Sequence, residues 1–60
     1  MRNNLNKIIS FYKHYYKDLD VGTINSSYFI NFLEFDIFIR FNLRPTREDL
    51  KIIIEAIPGG

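Results

Sequence analysis

Few side chains in this sequence are of the types that carry out covalent or acid–base chemistry. The chain has one histidine and no cysteine, so it has no thiolate nucleophile or thiolate zinc site. His14 and Asp18 stand four residues apart, a spacing that gives either an acid–base pair or an ordinary surface contact on a helix. Glu34 and Asp36 would share one face of a strand, where two carboxylates either bind a metal ion or stay solvated beside Arg40.

No further motif accompanies these pairs. The sequence has no glycine-rich phosphate loop, nucleophile elbow or cluster of metal ligands. A chain of 60 residues also has too small an interior for a substrate pocket of several hundred cubic ångströms. We therefore expect a protein that is not an enzyme and that uses no metal ion or cofactor.

Arg40, Asn42 and Arg44 alternate along the chain, so on a strand they would project from one face. Guanidinium and amide groups are the side chains that hydrogen-bond the edges of guanine and adenine. These residues, followed by Pro45 and by Arg-Glu-Asp-Leu at 47–50, resemble the strand and first helix of ribbon-helix-helix repressors. The resemblance implies DNA binding through a paired β-ribbon, with the three alternating side chains as the contacts.

Residues 23–34 look like a degenerate EF-hand loop. In this resemblance Glu34 is the bidentate calcium ligand, and Asn25 and Ser27 are weaker ligands. Only one carboxylate lies in the stretch, and Tyr28 stands where the sharp turn of such loops needs glycine. The resemblance implies an all-helical lobe that binds a target helix without sensing calcium.

Aromatic and aliphatic residues are abundant for so short a chain. The sequence is 47% hydrophobic and 17% aromatic, and its length predicts one domain over residues 1–60. A domain of this size without disulfides or a structural metal commonly depends on association. We therefore expect a homodimer or a complex with a protein partner. The predicted interface consists of the aromatic residues Tyr12, Tyr16, Tyr28, Phe35, Phe38 and Phe41.

Helices are predicted near both ends of the chain. Residues 4–17 repeat apolar side chains at spacings of three and four, and Gly22 is a candidate for the left-handed residue beyond that helix. A second helix is expected behind Thr46, which is a good N-cap residue, and Pro-Gly-Gly at 58–60 is expected to end it. The apolar stripe of this helix consists of Leu50, Ile53, Ile54 and Ile57.

The middle of the chain decides the fold class. Residues 35–43 alternate apolar with mostly polar side chains and are rich in Phe and Ile, which predicts a strand. Residues 26–33 fit either a strand or a short helix capped by Ser26. The prediction is an α+β fold, in which two helices pack on a small antiparallel β segment whose aromatic edge pairs with a partner. The alternative is an all-α, EF-hand-like helix-loop-helix.

Charge and hydropathy bear on location and partners. The net charge is +1, and residues 1–17 carry four basic side chains and no acidic one. Such a helix attracts phosphate or an acidic partner, or its charged face is simply solvated. The sequence shows neither an apolar run of about 20 residues nor a secretory signal. We therefore expect no membrane span and an intracellular, cytoplasmic location.

Overall fold

The structure is a computed structural model that describes residues 4–57. These residues form four helices: α1 (Leu5–Tyr15), α2 (Val21–Ile24), α3 (Ser27–Phe41) and α4 (Arg47–Ala56). No residue from 4 to 57 lies in a β-strand. Over the same range, none of the helices has both the length and the apolar character that crossing a membrane requires.

The two helices predicted near the ends of the chain are confirmed as α1 and α4. α4 begins with a capping box, in which Thr46 Oγ1 accepts the Asp49 N–H at 3.1 Å and Asp49 Oδ2 accepts the Thr46 N–H at 3.0 Å. The predicted role of Gly22 is wrong, because this residue lies inside α2 and its φ is not positive. The predicted stop at residues 58–60 lies outside the described residues.

The predicted strand over residues 35–43 is wrong, and with it the α+β fold. Residues 35–41 belong to α3, which begins behind Ser26, whose Oγ accepts the Phe29 N–H at 3.1 Å. Asn42 ends the helix in the left-handed conformation, with φ at 56°. The all-α alternative is therefore the correct fold class.

The alternation that indicated a strand arises because α3 is apolar on two opposite sides. Leu33 and Ile37 are fully buried, whereas Phe35 and Ile39 are each 65% exposed. A step of two residues along a helix is a rotation of about 200°, so these four residues fall alternately on the two sides. A helix with one buried and one exposed apolar side therefore produces the period of two that is typical of strands.

The calcium-binding loop of the EF-hand resemblance is also absent from residues 4–57. Residues 27–34 form the first two turns of α3, and α2 ends at Ile24, so only Asn25 and Ser26 connect the two helices. No 12-residue loop remains to place oxygen ligands around an ion. The EF-hand-like alternative is therefore correct in predicting an all-α fold and wrong in predicting the loop between the helices.

The core lies where α4 packs against α1 and α3, with α2 packed against α3. Within residues 4–57 the buried hydrophobic side chains are Ile8, Tyr12, Ile24, Phe29, Leu33, Ile37, Leu50, Ile53, Ile54 and Ile57. The apolar stripe predicted for the last helix is thus confirmed as part of the core. These contacts cover one side of α3 and leave the opposite side of that helix outside the core.

Candidate functional site

α3 presents an apolar side to solvent. Tyr28 is 84% exposed, Phe32 53%, and Phe35 and Ile39 65% each. Their successive spacings are four, three and four residues, so they form one stripe on a helix of 3.6 residues per turn. Phe38, with 37% of its surface exposed, lies at the edge of this stripe. We call these five residues the outer face of α3.

The outer face is large for a domain of this size. A Phe or Tyr side chain carries about 150 to 250 Å² of surface, and with a similar value for Ile39 the exposed fractions of the five residues amount to about 600 Å². The largest apolar patch on a typical monomer measures about 300 to 600 Å² and is often functional. The outer face is therefore the candidate site for binding an apolar partner surface.

One edge of the outer face is a charged pair held next to α1. Arg40 Nε donates to Asp36 Oδ2 at 3.1 Å, one helical turn away. The Arg40 guanidinium carbon also lies 5.1 Å from the ring centroid of Phe11 and 5.0 Å from that of Tyr15. The Tyr12 hydroxyl donates to the same Asp36 oxygen at 2.5 Å. These contacts neutralise both charges within the chain and fix them at the edge of the apolar stripe.

Two stacked tyrosines lie behind this edge. Burial raises the pKa of Tyr12 above its ordinary value of 10.0, and the hydrogen bond to Asp36 raises it further, so the Tyr12 hydroxyl stays a donor. Burial also raises the pKa of Tyr16, whose ring centroid lies 5.6 Å from that of Tyr12. The Tyr16 hydroxyl is buried and has no hydrogen-bond partner within residues 4–57. Tyr12 therefore ties α1 to α3, whereas Tyr16 contributes packing alone.

The other edge of the outer face opens into a groove beside the loop that leads to α4. The groove has a volume of about 410 Å³ and is lined by Asn31, Glu34, Phe35, Phe38, Arg44 and Pro45. The Arg44 guanidinium carbon lies 4.8 Å from the ring centroid of Phe38, which places a positive charge at the rim. The apolar stripe is thus bordered by a recess that is large enough to accept a side chain of a partner.

The six aromatic residues predicted to form an interface fall into two groups. Tyr28, Phe35 and Phe38 lie on the outer face. Tyr12 is buried in the core, and Tyr16 and Phe41 are half-buried against it. Tyr12 therefore has no surface left for a partner, whereas Tyr16 and Phe41 keep part of theirs, and an interface role for these two stays a prediction. An interface role for the first group stays a prediction.

Phe32 and Ile39 belong to the outer face but were not among the predicted interface residues. Their signal in the sequence is their spacing from Tyr28 and Phe35, which marks one stripe only if the segment is helical. Read as a strand, the same segment assigns Phe32 and Phe35 to opposite faces. The strand pattern therefore conceals Phe32, whereas Ile39 is missed because the predicted interface consists of aromatic residues only.

Arg40, Asn42 and Arg44 do not lie in a row on one face of a strand, as the sequence predicts. Arg40 contacts α1 through the rings of Phe11 and Tyr15, Asn42 is the left-handed residue that ends α3, and Arg44 lies over Phe38. A paired β-ribbon would need strands, and residues 4–57 contain none. The β-ribbon on which that prediction depends is therefore absent from this part of the chain, and DNA binding itself stays a prediction.

The acidic pair considered as a metal site is also separated by the helix. Glu34 borders the groove near α4, whereas Asp36 bonds to α1 on the other side. Throughout residues 4–57, no three histidine or carboxylate side chains are grouped so that they could hold a metal ion.

Comparison with known proteins gives no match to this chain among family models, curated proteins or solved structures.

Proposed function

We propose that this chain is a protein-interaction module that docks a partner protein on the outer face of α3. The observation that carries the proposal is the exposed stripe of Tyr28, Phe32, Phe35 and Ile39. Its spacing is that of a helix that packs along another apolar surface, as in coiled coils and helix-in-groove complexes. Docking by this face needs no catalytic group, metal ion or cofactor.

The outer face is held in a rigid position. Phe29, Leu33 and Ile37 anchor the opposite side of α3 in the core, and Ser26 and Asn42 fix the two ends of the helix. A surface that is already ordered loses less conformational entropy on binding than a flexible one. The fold therefore supports docking without a preceding rearrangement.

The distribution of side chains on this surface matches the anatomy of protein interfaces. Such interfaces have an aromatic and aliphatic centre, where most of the binding energy arises, and a polar rim. Here Phe32 and Phe35 form the centre, while Arg40 with Asp36 and Arg44 lie at the two edges. The charges are placed where a partner would leave them in contact with water.

Site-specific photo-crosslinking in cells tests this proposal. A photoreactive phenylalanine analogue is placed at position 35 or, as a control, at position 52. Ile52 is an exposed apolar residue of α4 that does not line the groove near Arg44. We expect a discrete protein adduct from position 35 and none from position 52.

A second substitution shows whether the adduct depends on the whole face. Phe32→Glu places a charge in the centre of the stripe without changing the crosslinking position, so the adduct from position 35 should disappear. Equal adducts from positions 35 and 52, or no adduct from position 35, would mean that the outer face docks no protein.

A further inference from the structure

We infer that the partner of the outer face is the same face of a second copy of this chain, with the two α3 helices antiparallel. This inference rests on the proposed function and names the partner. The two-fold axis passes between Phe32 and Phe35, at the midpoint of the stripe. Each copy then contributes the same surface to the interface, as closed two-fold dimers require.

The area of the outer face is what a dimer of this kind needs. The exposed side chains supply about 600 Å² on each copy and therefore about 1,200 Å² for the pair. Stable protein interfaces bury about 1,200 to 2,000 Å² in total, counting both partners. Two outer faces therefore equal the lower end of this range when all of their exposed surface is buried, and rim atoms such as those of Asn31 and Arg44 add to it.

The stripe is symmetric about its own midpoint, because its spacings read four, three and four from either end. In an antiparallel pair, Phe32 of one copy lies opposite Phe35 of the other, and Tyr28 lies opposite Ile39. The centre is thus formed by four phenylalanine rings, which pack well edge-to-face or offset. Tyr28 falls at the ends of the interface, where its hydroxyl remains in reach of water.

The charges near the outer face also permit two copies to meet. None of the five residues of the face is charged. Asp36 and Arg40 pair within each copy at one edge, and the groove at the other edge is lined by one acidic and one basic side chain, Glu34 and Arg44. The antiparallel arrangement opposes the two helix dipoles, whereas a parallel one aligns them. A parallel pair would also place Tyr28 against Tyr28 in the interface.

Light scattering on the purified chain measures the oligomeric state. We expect a mass of about 14 kDa, twice the 7.2 kDa of one chain. Phe35→Glu should raise the Kd of the dimer about 100-fold, because both copies then bury a charge at the centre. Ile52→Glu, on α4, is the matched control and should leave the Kd unchanged. Far-ultraviolet circular dichroism of both variants verifies that the helices remain.

Introduced cysteines test the antiparallel arrangement without disturbing the centre. The chain has no cysteine of its own, so Tyr28→Cys and Ile39→Cys each add one thiol. In the antiparallel pair, position 28 of one copy lies opposite position 39 of the other, so the two thiols at position 28 are 11 residues of helix apart, or about 16 Å. A disulfide joins residues whose Cα atoms are no more than about 7 Å apart. Oxidising a mixture of the two variants should therefore give the mixed disulfide dimer, and oxidising either alone should not. Self-linked Tyr28→Cys would overturn the antiparallel arrangement.

The failure of this inference differs from the failure of the proposed function. If the chain stays a 7.2 kDa monomer up to high micromolar concentration and position 35 crosslinks to a different protein, the homodimer is wrong and the proposal that the outer face docks a protein is retained. A 7.2 kDa species with no adduct at position 35 overturns both. A dimer that Phe35→Glu does not weaken overturns the assignment of its interface to the outer face.

Discussion

Replacing Tyr12 with phenylalanine tests the hydrogen bond that ties α1 to α3. The change removes the hydroxyl that donates to Asp36 Oδ2 and keeps the buried ring. Hydrogen bonds to charged groups contribute about 1.5 to 3 kcal/mol. Asp36 keeps its bond to Arg40, and 18% of its side chain is exposed, so water can replace part of the loss. We expect the lower end of the range, about 1.5 to 2 kcal/mol.

This loss corresponds to a fall in Tm of about 6 to 16 °C, since 1 kcal/mol moves the Tm of so small a domain by about 4 to 8 °C. Tyr16→Phe is the matched control, because the two rings are stacked and the Tyr16 hydroxyl is buried without a hydrogen-bond partner within residues 4–57. Removing an unpaired buried hydroxyl should leave stability unchanged or raise it.

Urea unfolding followed by circular dichroism gives the free energies for both variants. All proteins are measured at one concentration, because association would add to the apparent stability of each. Equal losses from Tyr12→Phe and Tyr16→Phe would refute the reasoning. Such a result would mean that the Tyr12 hydroxyl contributes no more than its unpaired neighbour.

Two further predictions concern the raised pKa of Tyr12 and the start of α4. Above pH 10.0 an unfolded chain loses the Tyr12 proton while the folded chain retains it, so the contribution of Tyr12 to the free energy of unfolding should be constant below that pH and fall above it. The urea midpoint measured against pH should show this alkaline loss, and Tyr12→Phe should reduce it; an unchanged alkaline loss would exclude Tyr12 as its source. Thr46→Ala removes the hydroxyl of the capping box and should cost about 1 kcal/mol in urea unfolding, whereas Thr46→Ser should retain most of the stability. Equal stability of these two variants would show that the capping bond contributes nothing.

The sequence predicts α1 and α4 because each of these helices buries a single stripe. Ile8 and Tyr12 on α1, and Leu50 and Ile53 on α4, recur at three or four residues with polar side chains between them. This period is the signal that distinguishes a helix from a strand. It holds wherever one side of the helix faces the core and the other faces water.

α3 lacks this signal because it is apolar on two sides. Helical periodicity is recognised by an apolar side opposite a polar one, and α3 has no polar side opposite its buried side. With Leu33 and Ile37 inside and Phe35 and Ile39 outside, the apolar residues follow a period close to two. Only the ends of the helix carry local information, through the Ser26 cap and the left-handed Asn42. The segment is a helix and not a strand because of tertiary contacts, which bury one of its two apolar sides in the core.

The prediction of a strand in place of α3 also determines which residues of the candidate site can be predicted from the sequence. Tyr28, Phe35 and Phe38 are selected by residue type alone, since exposed aromatic side chains are typical of interfaces. Phe32 and Ile39 are selected only by helical spacing. The ion pair between Asp36 and Arg40 likewise depends on the i, i+4 geometry of a helix. The strand prediction could not reveal this pair.

In the dimer that we propose, folding and association use opposite sides of α3. Phe29, Leu33 and Ile37 complete the core, and the outer face takes no part in it. A helix that is apolar all round is ordinarily buried on every side. No element of residues 4–57 covers the outer face, and in the dimer that we propose a second α3 covers it with matching length and spacing. On this proposal, residues as near in sequence as Leu33 and Phe35 affect different equilibria, the first unfolding and the second dimerisation.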